Sequence, residues 1–280
     1  MSNPKAMAIL TIYELRKAMA RKRIILLIAL IFLTEAALYL ILALLPPQFV
    51  QPFKSYAWIV GIIVPSTVLI HILALTIGAA AFSEEYEMGT ADFWLTRPIT
   101  RAEYFAGKVF GSLVFTAAIV STYSILSLIL SWWIFGPQSR LELFVSGAAA
   151  SIFSSLTFLS VGLVVGELLR RSMLATILAA TGFFTSFIIE TYLGLVSALT
   201  GDQSLAEYAT YLPSWAASRL TATIISNGLG VGAIPLPFFA SGTTQAEILT
   251  AALNITAYST ALLMVTLIRL TTTDITRRAA

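Results

Sequence analysis

Six stretches of this 280-residue chain are each apolar enough and long enough to cross the hydrocarbon core of a bilayer, at about 24–45, 58–82, 109–135, 141–168, 172–199 and 247–270. A helix rises 1.5 Å per residue, so about 20 apolar residues span the roughly 30 Å core. Charged residues make up 11% of the chain and its mean hydropathy is +0.88, whereas an ordinary soluble domain carries about 25% charged residues. The expected fold is an all-α integral membrane protein with six transmembrane helices. Several stretches exceed the minimum length and have room to tilt or to project from the bilayer.

The bases fix an expected orientation. With both ends on one side, fourteen bases fall on that side: Lys5, Arg16, Lys17, Arg21, Lys22, Arg23, Arg97, Arg101, Lys108, Arg170, Arg171, Arg269, Arg277 and Arg278. Only Lys54, Arg140 and Arg219, three in all, fall on the other. The positive-inside rule then predicts cytoplasmic termini and a cytoplasmic 83–108 segment in a multi-pass protein of the plasma membrane.

That segment, SEEYEMGTADFWLTRPITRAEYFAGK, mixes five acids and three bases with Tyr86, Met88, Phe93, Trp94 and Leu95. Large apolar side chains in a polar connection suit docking on a protein. Ser83 is expected to cap a helix carrying Glu84, Glu85 and Glu87 in its first turn, where carboxylates favour the helix dipole. Pro98 should end that helix at Arg97. Gly89 inside it implies a kink or a close approach. Thr100 with Glu103 forms a capping box that opens the next helix. The net charge of −2 across the segment predicts a basic partner groove.

The order of these residues resembles a known family. An acidic cluster, Glu87-Met88-Gly89-Thr90, then Arg97-Pro98-Ile99-Thr100-Arg101-Ala102-Glu103, then Gly107-Lys108 before a span is similar to the membrane (permease) subunit of ABC-2 type transporters. The resemblance implies that 83–108 holds a coupling helix, between spans 2 and 3, that docks on a separate ATP-binding subunit. Glu84, Glu85, Glu87, Gly89, Thr90, Phe93, Trp94 and Arg97 would be its docking residues. It further implies two ATP-binding subunits, a second copy of the chain or a homologous permease, the lipid bilayer as surroundings, no nucleic acid, and export as the usual direction. ATP and Mg would be bound on the partner subunits.

Residues 1–23 carry six bases and one acid, Glu14. Ala8, Ile12, Leu15 and Met19 share one helical face with Glu14, Lys17 and Arg21 roughly opposite, the pattern of an amphipathic interfacial helix on an anionic leaflet. The following run is too long for a cleaved signal peptide. Residues 24–280 then form one six-span domain. Its 200–246 segment, outside the membrane in this topology, is too long to be structureless. Leu212, Trp215, Ala216, Leu220, Ile224 and Ile225 predict a helix from Pro213 or Ser214 that lies at the outer interface or folds part-way back in.

Three ionisable residues fall within spans, where they are costly and usually face the bundle interior. Glu35 and His71 each sit 11 residues from an inner span end, about 16 Å deep, and are placed to pair. Glu190 lies nearer the outer end and is expected to reach the headgroups or the path. Gly107/Gly111 and Gly162/Gly166 have the spacing of close helix crossings, and Pro65 and Gly78 are candidate kinks. Asn254-Ile255-Thr256 is a glycosylation sequon made inaccessible by its span.

The chain lacks the phosphate-cradling Gly-rich motif followed by Lys and Ser or Thr, the nucleophile elbow and the His-Glu-x-x-His pair. With one histidine and no cysteine, a metal site is not expected either, so the chain is not read as an enzyme. Two other classes stay open at this point. One is an autonomous secondary transporter or channel relaying ions through Glu35 and His71, and the other is a non-transporting membrane anchor of a larger assembly.

Overall fold

The computed structural model describes residues 4–95, 99–230 and 245–272, and among these every regular element is helical. In order they are α1 (Pro4–Ala20), α2 (Lys22–Leu44), α3 (Pro47–Val50), a 3-10 turn (Gln51–Tyr56), α4 (Trp58–Thr67) and α5 (Leu69–Glu87). Then follow α6 (Ala91–Leu95), α7 (Arg101–Phe135), α8 (Glu142–Leu169), α9 (Ser172–Thr200), α10 (Gln203–Ala209), α11 (Pro213–Leu229) and α12 (Gln245–Thr272). Five helices, α2, α7, α8, α9 and α12, are singly long and apolar enough to cross a membrane. The pair α4 and α5, bent by 45°, counts as a sixth. We call the end where α5, α8 and α12 finish the basic end, and the opposite one the far end.

The break in the second crossing falls at Val68, whose φ of −132° leaves helical geometry. Pro65 lacks the N–H that would bond the carbonyl one turn earlier. Ser66 and Thr67 donate their hydroxyls to the Ile63 carbonyl at 2.9 and 3.0 Å, competing with the main-chain ladder in a way that bends helices. Gly78 does not kink α5. A Cβ there would stand 3.0 Å from Leu163 N, and one on Gly162 2.7 Å from Ala79 N. Bare backbone is therefore what lets α5 and α8 touch along their length. As a result α5 is buried on nearly every side from Leu73 to Ser83, packed by α2, α7, α8 and α9.

Gly107 and Gly111 do the same for α1 and α7. A Cβ on either would lie 2.6 Å from the Cβ of Leu10 or Glu14 respectively. Helix α1 turns Leu10, Glu14, Ala18 and then Arg21 inward, and leaves Ile9, Ile12 and Met19 exposed. Its charged residues thus point into the protein beside Leu10 and Ala18, while Ile9, Ile12 and Met19 point away, because α5 and α7 offer buried partners for those charges.

Within the 200–246 segment, residues 203–229 fold back among the spans. Ser214 and Ser218 of α11 hydrogen-bond Ser186 and Glu190 of α9, while Gly228 and Gly147 mark where α11 passes Leu143 and α8 near the far end. Helix α11 therefore begins inside the bundle and runs outward, with α10 leading in. The turn between them leaves carbonyls that hydrocarbon could not satisfy. Asn254 and Tyr258, nine and thirteen residues into α12, answer this by donating to Thr210 O and Tyr211 O, each at 2.8 Å. The far part of the segment, 231–244, lies outside the described residues.

Candidate functional site

The 83–108 segment is built differently from its expected grammar. Ser83 lies inside α5 and donates its hydroxyl to the Ala79 carbonyl, so Glu84, Glu85 and Glu87 occupy the last turn of α5 and not the first turn of a new helix. Met88 N–H bonds Glu84 O, Gly89 N–H bonds Tyr86 O and Thr90 N–H bonds Glu85 O. Gly89 has φ +67°. This is a Schellman stop, which wants glycine at that position. The helix after it, α6, is one short turn. Arg97 and the side chain of Asp92 lie outside the described residues. Thr100 and Glu103 form both halves of the capping box that opens α7.

Carboxylates at a helix C-terminus face the unfavourable end of the dipole. Here bases from other helices offset that cost. Arg21 Nε meets Glu84 Oε2 at 2.7 Å and Arg23 Nη2 meets Glu84 Oε1 at 3.3 Å. The ammonium of Lys108, fully buried, donates to Glu14 of α1, to Glu85 of α5 and, at 3.0 Å, to the Ala81 carbonyl. An ammonium has three hydrogens, and all three are used. Lys17 adds a contact to Glu85 at 3.3 Å. Burial, and then the neighbouring Lys108 charge, hold the Lys17 amine below its ordinary pKa. Tyr104 of α7 donates to the other Glu85 oxygen.

The clamp extends to α8 and α9. Tyr86 donates to Glu167 at 2.8 Å, and the Arg170 guanidinium stands 4.6 Å over the Tyr86 ring. Glu87 accepts the N–H of Ser172, the first residue of α9, at 3.0 Å, filling one of the free donors of that helix start. Arg101 donates to the Leu270 and Thr271 carbonyls at the end of α12. The tip of α5 therefore touches the ends of α2, α7, α8 and α9, while α7 reaches the end of α12 through Arg101, and the three glutamates are engaged within the chain.

What remains outward-facing is a corner. Met88 is 59% exposed and Phe93 51%, and a Cβ on Gly89 would meet nothing within 4 Å. Trp94 instead packs on Tyr13 of α1, with ring centroids 5.0 Å apart. Phe93 and Trp94, both expected as docking residues, keep their rings in contact at 5.4 Å, but Phe93 faces outward and Trp94 packs on α1. It also adds Glu14, Lys17, Arg21 and Lys108. The helical spacing of Glu14, Lys17 and Arg21 was the available signal.

The intramembrane groups do not form one relay. Glu35 lies against Gly61 of α4 and Ser127 of α7, whereas the His71 ring sits 5.6 Å from Phe158 and 6.0 Å from Phe183. Neither imidazole nitrogen makes a hydrogen bond of ordinary geometry. Matched depth did not make a pair, because α2 and α5 present these residues to different neighbours. Glu190 does not reach outward; it is buried and accepts from Ser218 at 3.2 Å and from Arg219 at 3.3 Å. Among the described residues no group of three His, Asp or Glu side chains could hold a metal ion.

A model of a protein family described as ABC-2 family transporter protein matches residues 7–275. The chain belongs to the ABC-2 transporter family. No curated protein matches it at a significant level. As an ABC-2 permease-family chain it is a multi-pass membrane protein, in a family whose membrane subunits work with ABC ATP-binding subunits and are not generally the catalytic ones.

Proposed function

We propose that this chain is the membrane subunit of an ATP-driven exporter. Two copies, or this chain and a homologous permease, surround a path, and two ATP-binding subunits dock on the basic end. Both termini and 83–108 face the cytoplasm, and the membrane is the plasma membrane. ATP and Mg are bound on the partner subunits.

The observation that carries the reading is the exposed Met88–Phe93 corner at the tip of a helix whose last turn is clamped to α1, α7 and α9. A partner pushing on that corner moves α5 and its clamped neighbours together. Any such push shifts the equilibrium between inward-closed and outward-open arrangements only by its differential affinity for the two. Glu84, Glu85 and Glu87 then act as the clamp that holds the corner, with Gly89 and Thr90 closing its turn.

The test is co-purification of the ATP-binding subunit, and ATP-driven transport in liposomes, with Phe93→Asp and Met88→Asp. A buried aromatic anchor is worth about 2 kcal/mol or more at an interface, roughly a thirtyfold affinity loss. Both variants should lose the ATPase while keeping the membrane fold. Undiminished docking and transport in the double variant would sink the assignment.

A further inference from the structure

Glu35 is fully buried in α2, and neither carboxyl oxygen has a hydrogen-bond partner. It is wedged between two other helices: a Cβ on Gly61 of α4 would overlap both Glu35 Oε1 and Ser127 Oγ of α7. The hydrogens around it can be counted. A hydroxyl has one hydrogen and two lone pairs. Ser127 gives its hydrogen to the Trp58 carbonyl at 2.7 Å. The Tyr39 hydroxyl stands 2.7 Å from Ser127 Oγ and 3.2 Å from the Ala57 carbonyl, and its single hydrogen goes to one of these. With the Ser127 hydrogen on the Trp58 carbonyl, neither hydroxyl has one left for Glu35, while Ser127 Oγ, in hydrogen-bonding reach of that carboxyl, keeps room to accept one.

The remaining titratable groups facing this region supply nothing. The hydroxyl of Tyr123, one turn before Ser127 on α7, makes no hydrogen bond of ordinary geometry and has the hydroxyls of Ser151, Ser124 and Ser66 as its neighbouring partners, and His71 of α5 is turned toward Phe158 and Phe183. Among the described residues no lysine or arginine reaches Glu35, which takes part in no ion pair there. An ionised carboxylate with neither donor nor counter-cation is strongly disfavoured in such a place.

We propose that Glu35 is a proton-binding site. It is occupied as the neutral acid, which gives its O–H to Ser127 Oγ and completes a chain from α2 through Ser127 of α7 to the Trp58 carbonyl of α4. The step is an acid–base one: the carboxylate takes a proton from hydronium in the solvent, leaving water, and no electrons move. An arrangement that parted α2 from α7 and admitted water would let the group ionise as an exposed glutamate does.

Infrared spectroscopy of the full-length protein in lipid nanodiscs tests this. At neutral pH the wild-type minus Glu35→Gln difference spectrum should show the C=O stretch of a protonated carboxylic acid, shifted in D2O. Glu35→Gln, whose amide can donate to the same oxygen, should keep the wild-type unfolding midpoint, and Glu35→Ala should lower it. Ser127→Ala retains Glu35 and removes the acceptor, so it should move the acid band toward that of a free carboxylic acid, which serves if a Glu35 variant fails to fold. Carboxylate bands in the difference spectrum, or a band unmoved by Ser127→Ala, would overturn the proposal. A wild-type midpoint that rises with sodium, lost in Glu35→Gln, would overturn it in favour of a metal cation.

Discussion

Replacing Lys108 by Met removes the one cation shared by two buried carboxylates. Glu85 is fully buried and Glu14 is 2% exposed, so neither can recover its hydration without opening the contact between α1, α5 and α7. Breaking a buried ion pair by deleting one partner costs about 3–5 kcal/mol. An exposed pair such as Arg140–Glu142 at the far end contributes about 0–1 kcal/mol. The buried cluster should therefore stand out by several-fold over that internal control. Denaturant unfolding in mild detergent measures it, with helix content giving the global transition and Trp94 fluorescence reporting α1, since Trp94 packs on Tyr13. The expected result is loss of the α1 contact before global unfolding. Glu85 keeps Lys17 at 3.3 Å while Glu14 is left without a cation, so the double change Lys108→Met with Glu14→Gln should recover most of the loss. A Lys108→Met cost below about 1 kcal/mol would mean that the cluster is solvated like a surface pair, and the clamp would be refuted.

Gly162→Leu should destabilise by about 1–3 kcal/mol or more, because overpacking forces backbone shifts and its Cβ would stand 2.7 Å from Ala79 N; a neutral result in the same unfolding assay would contradict the α5–α8 contact. Asn254→Ala should cost about 1 kcal/mol, typical of a side-chain bond between membrane helices, and should expose the 209–213 turn to limited proteolysis, with unchanged protection as the contrary outcome. Lys17 releases its proton at lower pH in the folded chain than in the unfolded one, which holds it up to the ordinary value of 10.5. Between those two values the unfolded chain binds more protons, so stability rises with pH there, and Lys17→Gln should flatten that slope.

The apolar runs near 24–45, 109–135, 141–168, 172–199 and 247–270 were readable because length and hydropathy alone decide a crossing. The bend at Val68 was half-readable: Pro65 marked it, but the hydroxyls of Ser66 and Thr67 set where it fell. The turn at Gly89 was misread as helix interior, since Glu84, Glu85 and Glu87 look like a first turn until Arg21, Lys17 and Lys108 are brought in from two other helices. Such partners lie between 23 and 68 residues away, and no local pattern encodes which helix face will meet which. For the same reason Glu35 and His71 matched in depth and not in direction. Asn254 offered a polar residue in a span without its role, which appears only when the turn after α10 arrives beside it.

Photo-crosslinking tests the central claim most directly. A crosslinking amino acid is placed at 88 or 93, on the exposed corner, and in a control at Leu33, which is 66% exposed on the flank of α2. The chain is expressed together with the ATP-binding subunit that supports its ATP-driven transport. We predict that positions 88 and 93 capture that subunit and that position 33 does not. Capture at neither 88 nor 93, in a complex that still co-purifies and transports, would contradict the account.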